Sequence, residues 1–156
     1  MLDSTCFIIF VLMEIVQLIK DICTTNDWSF NYGSGDWLNL SDSKSEFRKP
    51  FSDRKIHALL YTVSSNITFN DFGGEDNTTH NCILLLGVSS NFNDKDYNKK
   101  YEENLKPLLE SKLSILKDGL NSCEYKLSGS MSVKEFSNLM DNNLDGLNLE
   151  FTIEKA

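Results

Sequence analysis

The segment Ile83-Leu84-Leu85-Leu86-Gly87-Val88 constrains this chain more than any other. It is a short, continuous apolar run bounded by turn formers. That pattern suits a strand buried on both faces, although periodicity alone leaves a buried helical segment open. Covering such a strand requires a real core. At 156 residues the chain has the size of one domain, and a domain this long buries roughly two-thirds of its unfolded surface. Hydrophobic residues make up 40%, with 10 Phe, 5 Tyr and 2 Trp, so the apolar mass for a core is there and disorder is not expected.

The neighbouring segments supply the cover. Ile56 to Phe69 reads as one or two strands: His57-Ala58-Leu59-Leu60-Tyr61-Thr62-Val63, then Ile67-Thr68-Phe69. Asp71 to Asn81 holds Gly73-Gly74 and several Asp and Asn, which predicts a loop. Asn93 or Asp94 can cap a helix. Tyr97, Tyr101, Leu105, Leu108, Leu109, Ile115 and Leu116 follow at roughly helical spacing, with Pro107 as a kink or break and Gly119 as the end. Glu124 to Leu127 predicts a brief strand. Ser132-Val133-Lys134-Glu135 has the form of a capping box, predicting a short helix through Met140. Leu147, Leu149, Phe151 and Ile153 alternate with polar residues, giving a final strand. The class is α+β, with a mixed or antiparallel sheet and peripheral helices.

The N-terminus offers two readings. Cys6 to Met13 is apolar without a break, and Ile15, Val16, Leu18 and Ile19 extend it past Glu14 and Gln17. The run is too short and too broken to span a bilayer, which takes about 20 apolar residues, so no transmembrane helix is expected. It reads as a signal peptide over residues 1–23, with a single globular domain at 24–156, or as an amphipathic helix docked on that domain. The first reading makes the protein secreted. Asn39, Asn66 and Asn77 then head N-glycosylation sequons. Cys82 and Cys123 are the obvious disulfide pair in that compartment, against the alternative of two buried free thiols.

Charge narrows the partners. The formal net charge is -8, and the one basic cluster (Lys44, Arg48, Lys49, Arg54, Lys55) is interrupted by acids. A phosphate backbone is repelled by such a field, so nucleic acid is not an expected partner. Catalytic constellations are incomplete. There is no Gly-x-Ser-x-Gly elbow and no phosphate loop. Two histidines, His57 and His80, fall short of the three protein ligands usual for catalytic zinc. Cys82 with His80, and the set Cys82, His80 and Asp76, match no strong motif. Asp141 to Gly146 only superficially resembles a calcium loop, because it lacks the closing Glu.

In order along the chain, several blocks resemble an α-class carbonic anhydrase. Asp27-Trp28-Ser29-Phe30-Asn31-Tyr32-Gly33-Ser34-Gly35-Asp36-Trp37 is similar to the opening of that family's domain. Ile83 to Val88 and the helix up to Lys117-Asp118-Gly119 are similar to its strand, loop, helix and Gly. Phe136 to Met140 sits where its Leu-Leu-Pro stretch falls. Between them, Thr68-Phe69-Asn70-Asp71-Phe72-Gly73 and Asp76-Asn77-Thr78-Thr79-His80 are the nearest counterparts of its zinc region. The first two zinc histidines have no equivalent, and the third falls in a segment that is absent. The resemblance implies a partial carbonic-anhydrase-like sheet without the ion. Since zinc is what makes hydroxide at neutral pH, it also implies an inactive relative.

The expected function is therefore that of a secreted acidic glycoprotein, similar to a carbonic anhydrase and acting by binding a protein or small-molecule ligand without a cofactor. An unrelated secreted binding module is the alternative. A carbonic anhydrase fragment using zinc to hydrate carbon dioxide is another. For a binder, Trp28, Phe30, Tyr32 and Trp37 are the candidate anchors, since aromatics dominate hot spots, unless they pack as a flap on the core.

Overall fold

The computed structural model describes residues 4–33, 46–91, 93–139 and 143–156. Its strands are β1 (Ser29–Tyr32), β2 (Ile56–Phe69), β3 (Glu75–Ser89), β4 (Tyr125–Leu139) and β5 (Leu144–Lys155). They form one mixed sheet in the order β1-β2-β3-β5-β4, consistent with the α+β class. β1 joins β2 in parallel, and all other pairings are antiparallel. The apolar block of β3 is central, fully buried on one face and partly buried on the other. Leu84, Leu86 and Val88 are fully buried in the main core. Leu85 faces the other way, into a small cluster with Leu59, Tyr61, Leu144 and Phe136.

Helices cover one face. Helix α1 (Ser4–Thr25) carries the N-terminal apolar run. Ile15, Ile19, Ile22 and Cys23 recur at i, i+4, i+7 and i+8, one stripe of a helix, and all four are buried in the main core. The Tyr125 hydroxyl donates to Glu14 Oε2 at 2.8 Å and ties the same helix to β4. The second helical stretch begins with α2 (Tyr97–Lys100) and ends with α3 (Leu113–Leu120). Its cap is Asp96, whose carboxylate accepts from the Asn98 and Lys99 N–H groups, rather than Asn93 or Asp94. Pro107 has no N–H for the preceding turn, and the chain widens to π-helical geometry at Tyr101–Leu105 and Leu108–Lys112. Gly119 does not end this helix. It provides a notch: a Cβ there would lie 2.7 Å from Ile22 Cγ1 of α1.

Two local expectations are overturned by pairing. Residues 132–135 are strand, because Ser132, Val133, Lys134 and Glu135 pair with Glu150, Leu149, Asn148 and Leu147 of β5. A capping pattern is a local preference, and a full ladder against a buried strand outweighs it. The predicted loop over 71–81 shrinks to a turn, since β3 starts at Glu75. The order of the loop's Asn and Thr residues follows β2, with Thr68 facing Asn77 and Asn66 facing Thr79.

Candidate functional site

Of the predicted aromatic anchors, Trp28, Phe30 and Tyr32 do not form one exposed patch. Trp28 is buried in the main core together with Ile19, Ile22 and Cys23 of α1, and its backbone N–H donates to the Cys23 carbonyl at 2.8 Å. Phe30 is half-buried against the core, while Tyr32 is exposed. Trp37 and the sequon residue Asn39 lie outside the described residues. Asn66 and Asn77 are exposed, on adjacent strands of the face opposite α1.

Cys82 and Cys123 are free thiols, contrary to the disulfide expectation. Register keeps them apart. Cys82 pairs with Phe151, whereas Cys123 precedes Tyr125, which pairs with Lys155. Four residues of strand separate those levels, about 13 Å at the usual rise, and a disulfide tolerates less than 7 Å between Cα atoms. Burial pushes the Cys82 thiol up to about 12 and the Cys23 thiol to about 12, so both stay protonated and inert.

Nor do the histidines converge. His57 faces Gly87 and His80 faces Ser65, seven residues apart along β3 or about 23 Å. His80 Nδ1 is 2.7 Å from Ser65 Oγ, and burial holds its imidazole below the usual histidine range. Cys82 Sγ meets only the His80 carbonyl, at 4.0 Å, so the two do not form a thiolate–imidazole pair. Among the described residues there is no cluster of three or more His, Cys, Asp or Glu able to hold a metal ion. The segments nearest to a zinc region in sequence run along the β2–β3 hairpin, with residues 70–74 forming its turn.

That turn is the most distinctive surface of the molecule. β3 leaves its partner β5 at Thr79, so residues 75–78 pair with β2 alone. Every residue from 68 to 77 is exposed. The turn is nevertheless closely tied. The Asn70 N–H donates to the Gly74 carbonyl at 2.8 Å, and Asn70 Oδ1 accepts from the N–H groups of Phe72 and Gly74. Gly73 sits at φ +76°, a left-handed conformation that glycine adopts without strain. On this braced turn Phe72 is 99% exposed and Phe69 is 66% exposed. Asp71, Glu75 and Asp76 surround them, and residues 56–94 contain no Lys or Arg at all. Sequence reading took Phe69 as a strand residue and residues 71–81 as a loop. The available signal was two phenylalanines three apart around Asn-Asp and before Gly-Gly.

The opposite end of the sheet is different in charge. A cavity of about 650 Å³ lies where β2 begins, with the buried residues Trp28, Ile56 and His57 in its lining. Four basic residues (Lys49, Arg54, Lys55, Lys112) and three acidic ones (Asp27, Glu46, Asp53) also line it, a local balance of +1 in a chain of net charge -8. Arg54 is also part of a buried network. Its guanidinium donates to Asn104 Oδ1 at 2.5 Å, and Asn104 donates to Asp145 Oδ2 at 2.7 Å. Ser90 and Ser137 donate to the same carboxylate at 2.6 and 2.7 Å. Asp145 is fully buried, and its carboxylate ties the ends of β3, β4 and β5 to the helix.

No helix among the described residues is long and apolar enough to cross a membrane. No family model and no curated protein matches the chain.

Proposed function

We propose that this protein is a binding module that works through the tip of the β2–β3 hairpin and carries no catalytic chemistry of its own. The observation that supports this reading is the full exposure of Phe72 beside a largely exposed Phe69, on a turn held by Asn70. A phenylalanine has few rotamers to lose and a large apolar area to bury, which is the profile of an interface anchor. The acidic surround argues against nucleic acid and anionic lipid, and for a protein partner. In an exported chain, Asn66 and Asn77 are the exposed glycan acceptors nearest this tip.

The test compares wild type with the double variant Phe69→Ser, Phe72→Ser. Both side chains face solvent, so unfolding free energy should change little, by about 0.5 kcal/mol or less. Proteins recovered on immobilised wild type should be lost on the variant. An unchanged set of bound proteins, with the fold intact, would dismiss the tip as the working surface.

A further inference from the structure

The two ends of β2 are complementary. Ile56, at one end, lines the cavity, and Phe69, at the other, begins the exposed turn. Thirteen steps of strand separate them, about 40 Å, so the turn of one molecule cannot reach its own cavity. It can reach the cavity of another. The tip offers two phenylalanines and three carboxylates with no cation. The cavity sets Lys49, Arg54, Lys55 and Lys112 against Asp27, Glu46 and Asp53, with Lys55 paired to Asp27 at 2.8 Å, and the buried Trp28 and Ile56 lie behind them in its lining. It is a net-positive concavity on a strongly acidic molecule.

We infer that the hairpin tip of one copy docks into the cavity at the start of β2 of a second copy, giving head-to-tail self-association. This rests on the reading of the tip as the working surface and names its partner as another molecule of the same chain. The contact is heterologous: a different patch is used on each copy, so each bound molecule leaves a free tip and a free cavity. Such contacts extend into longer assemblies or close into rings. The contact area is limited to a turn and a cavity, so the association is weak and dependent on concentration. Its charged component is screened by salt.

Sedimentation equilibrium over a concentration series tests this directly. Wild-type mass should rise with concentration and fall back as salt is raised. The tip variant Phe69→Ala, Phe72→Ala and the cavity variant Lys55→Glu, Lys112→Glu should each self-associate about tenfold more weakly or worse. Circular dichroism melts establish that both variants are folded. The decisive measurement mixes them. The tip variant retains a cavity and the cavity variant retains a tip, so the mixture should form one-to-one dimers and stop there. A wild type that stays monomeric overturns the inference, as does association indifferent to Phe69 and Phe72, or a mixture that remains monomeric. If a monomeric wild type still retained other proteins through Phe72, only the self-association would fall and the binding reading would stand.

Discussion

Replacing Gly119 by alanine separates two accounts of the N-terminal run by the sign of one number. Gly119 is the next-to-last residue of α3. In an isolated helix, alanine there would stabilise by up to about 1 kcal/mol, less so near the end where the helix frays. In this fold the added methyl would sit 2.7 Å from Ile22 Cγ1, 2.8 Å from Cδ1 and 3.3 Å from Cγ2. Ile22 is buried between helix and sheet, with a branched side chain that has little freedom to turn away. Overpacking of this kind costs about 1–3 kcal/mol, so the net effect is a loss of about 1–2 kcal/mol. For a domain of this length that lowers the melting temperature by roughly 2–8 °C. Ile22→Ala alone should cost about 2–4 kcal/mol through the cavity it opens. Combined with Gly119→Ala it should cost less, because the new methyl occupies part of that space, with a coupling of about 1–2 kcal/mol. Urea and thermal unfolding of the four proteins provide the cycle. An increase in stability for Gly119→Ala, with strict additivity in the double variant, would mean that α1 does not pack on α3. A leader removed near Cys23 would produce that result.

Further outcomes follow from single sites. Asp145→Ala strands the donors of Ser90, Asn104 and Ser137 in the interior, and should reduce stability by about 2–4 kcal/mol in urea unfolding; a loss within error would show that water reaches the clamp. Burial lowers the His80 imidazole below its ordinary value, against the raising influence of Glu14 and Glu75. The unfolded chain therefore binds the extra proton first, so His80's contribution is complete above about pH 6.5 and declines as pH falls below it. Wild type should lose more stability between pH 7.5 and 5.5 than His80→Gln, as read from urea midpoints, and parallel losses would refute the assignment. Among Cys23, Cys82 and Cys123, a maleimide should label Cys123 in the native protein and the two buried thiols only on unfolding, as peptide mass mapping can read. Rapid native labelling of Cys82 would contradict its burial in β3.

Much of the scaffold was legible because its signals are local. Six residues from Ile83 to Val88 leave no polar face, so a strand there calls for cover on both sides; Leu84 is buried in the main core, while Leu85 packs half-buried against the smaller cluster. The alternation from Leu147 to Ile153 states which side of β5 meets the core, and all four of its apolar residues are buried. The helical spacing from Tyr97 to Leu116 survived the interruption at Pro107, since a wider turn absorbs a missing N–H.

The site was less legible, and the reason is physical. Whether an aromatic anchors a core or a partner depends on what the rest of the chain brings beside it. Trp28 and Phe72 are both large aromatics, yet one is buried in the main core and the other is in water. Ser132 to Glu135 satisfies a helix-start pattern and still lies in a ladder, because β5, the next strand, offers hydrogen bonds from residues beyond the four-residue span that such a pattern reads. Residue order sets period, polarity and the places where glycine relaxes the backbone. Exposure, register and the close approach of Ile22 to Gly119 belong to distant pieces meeting, and those meetings exist only once the sheet is assembled.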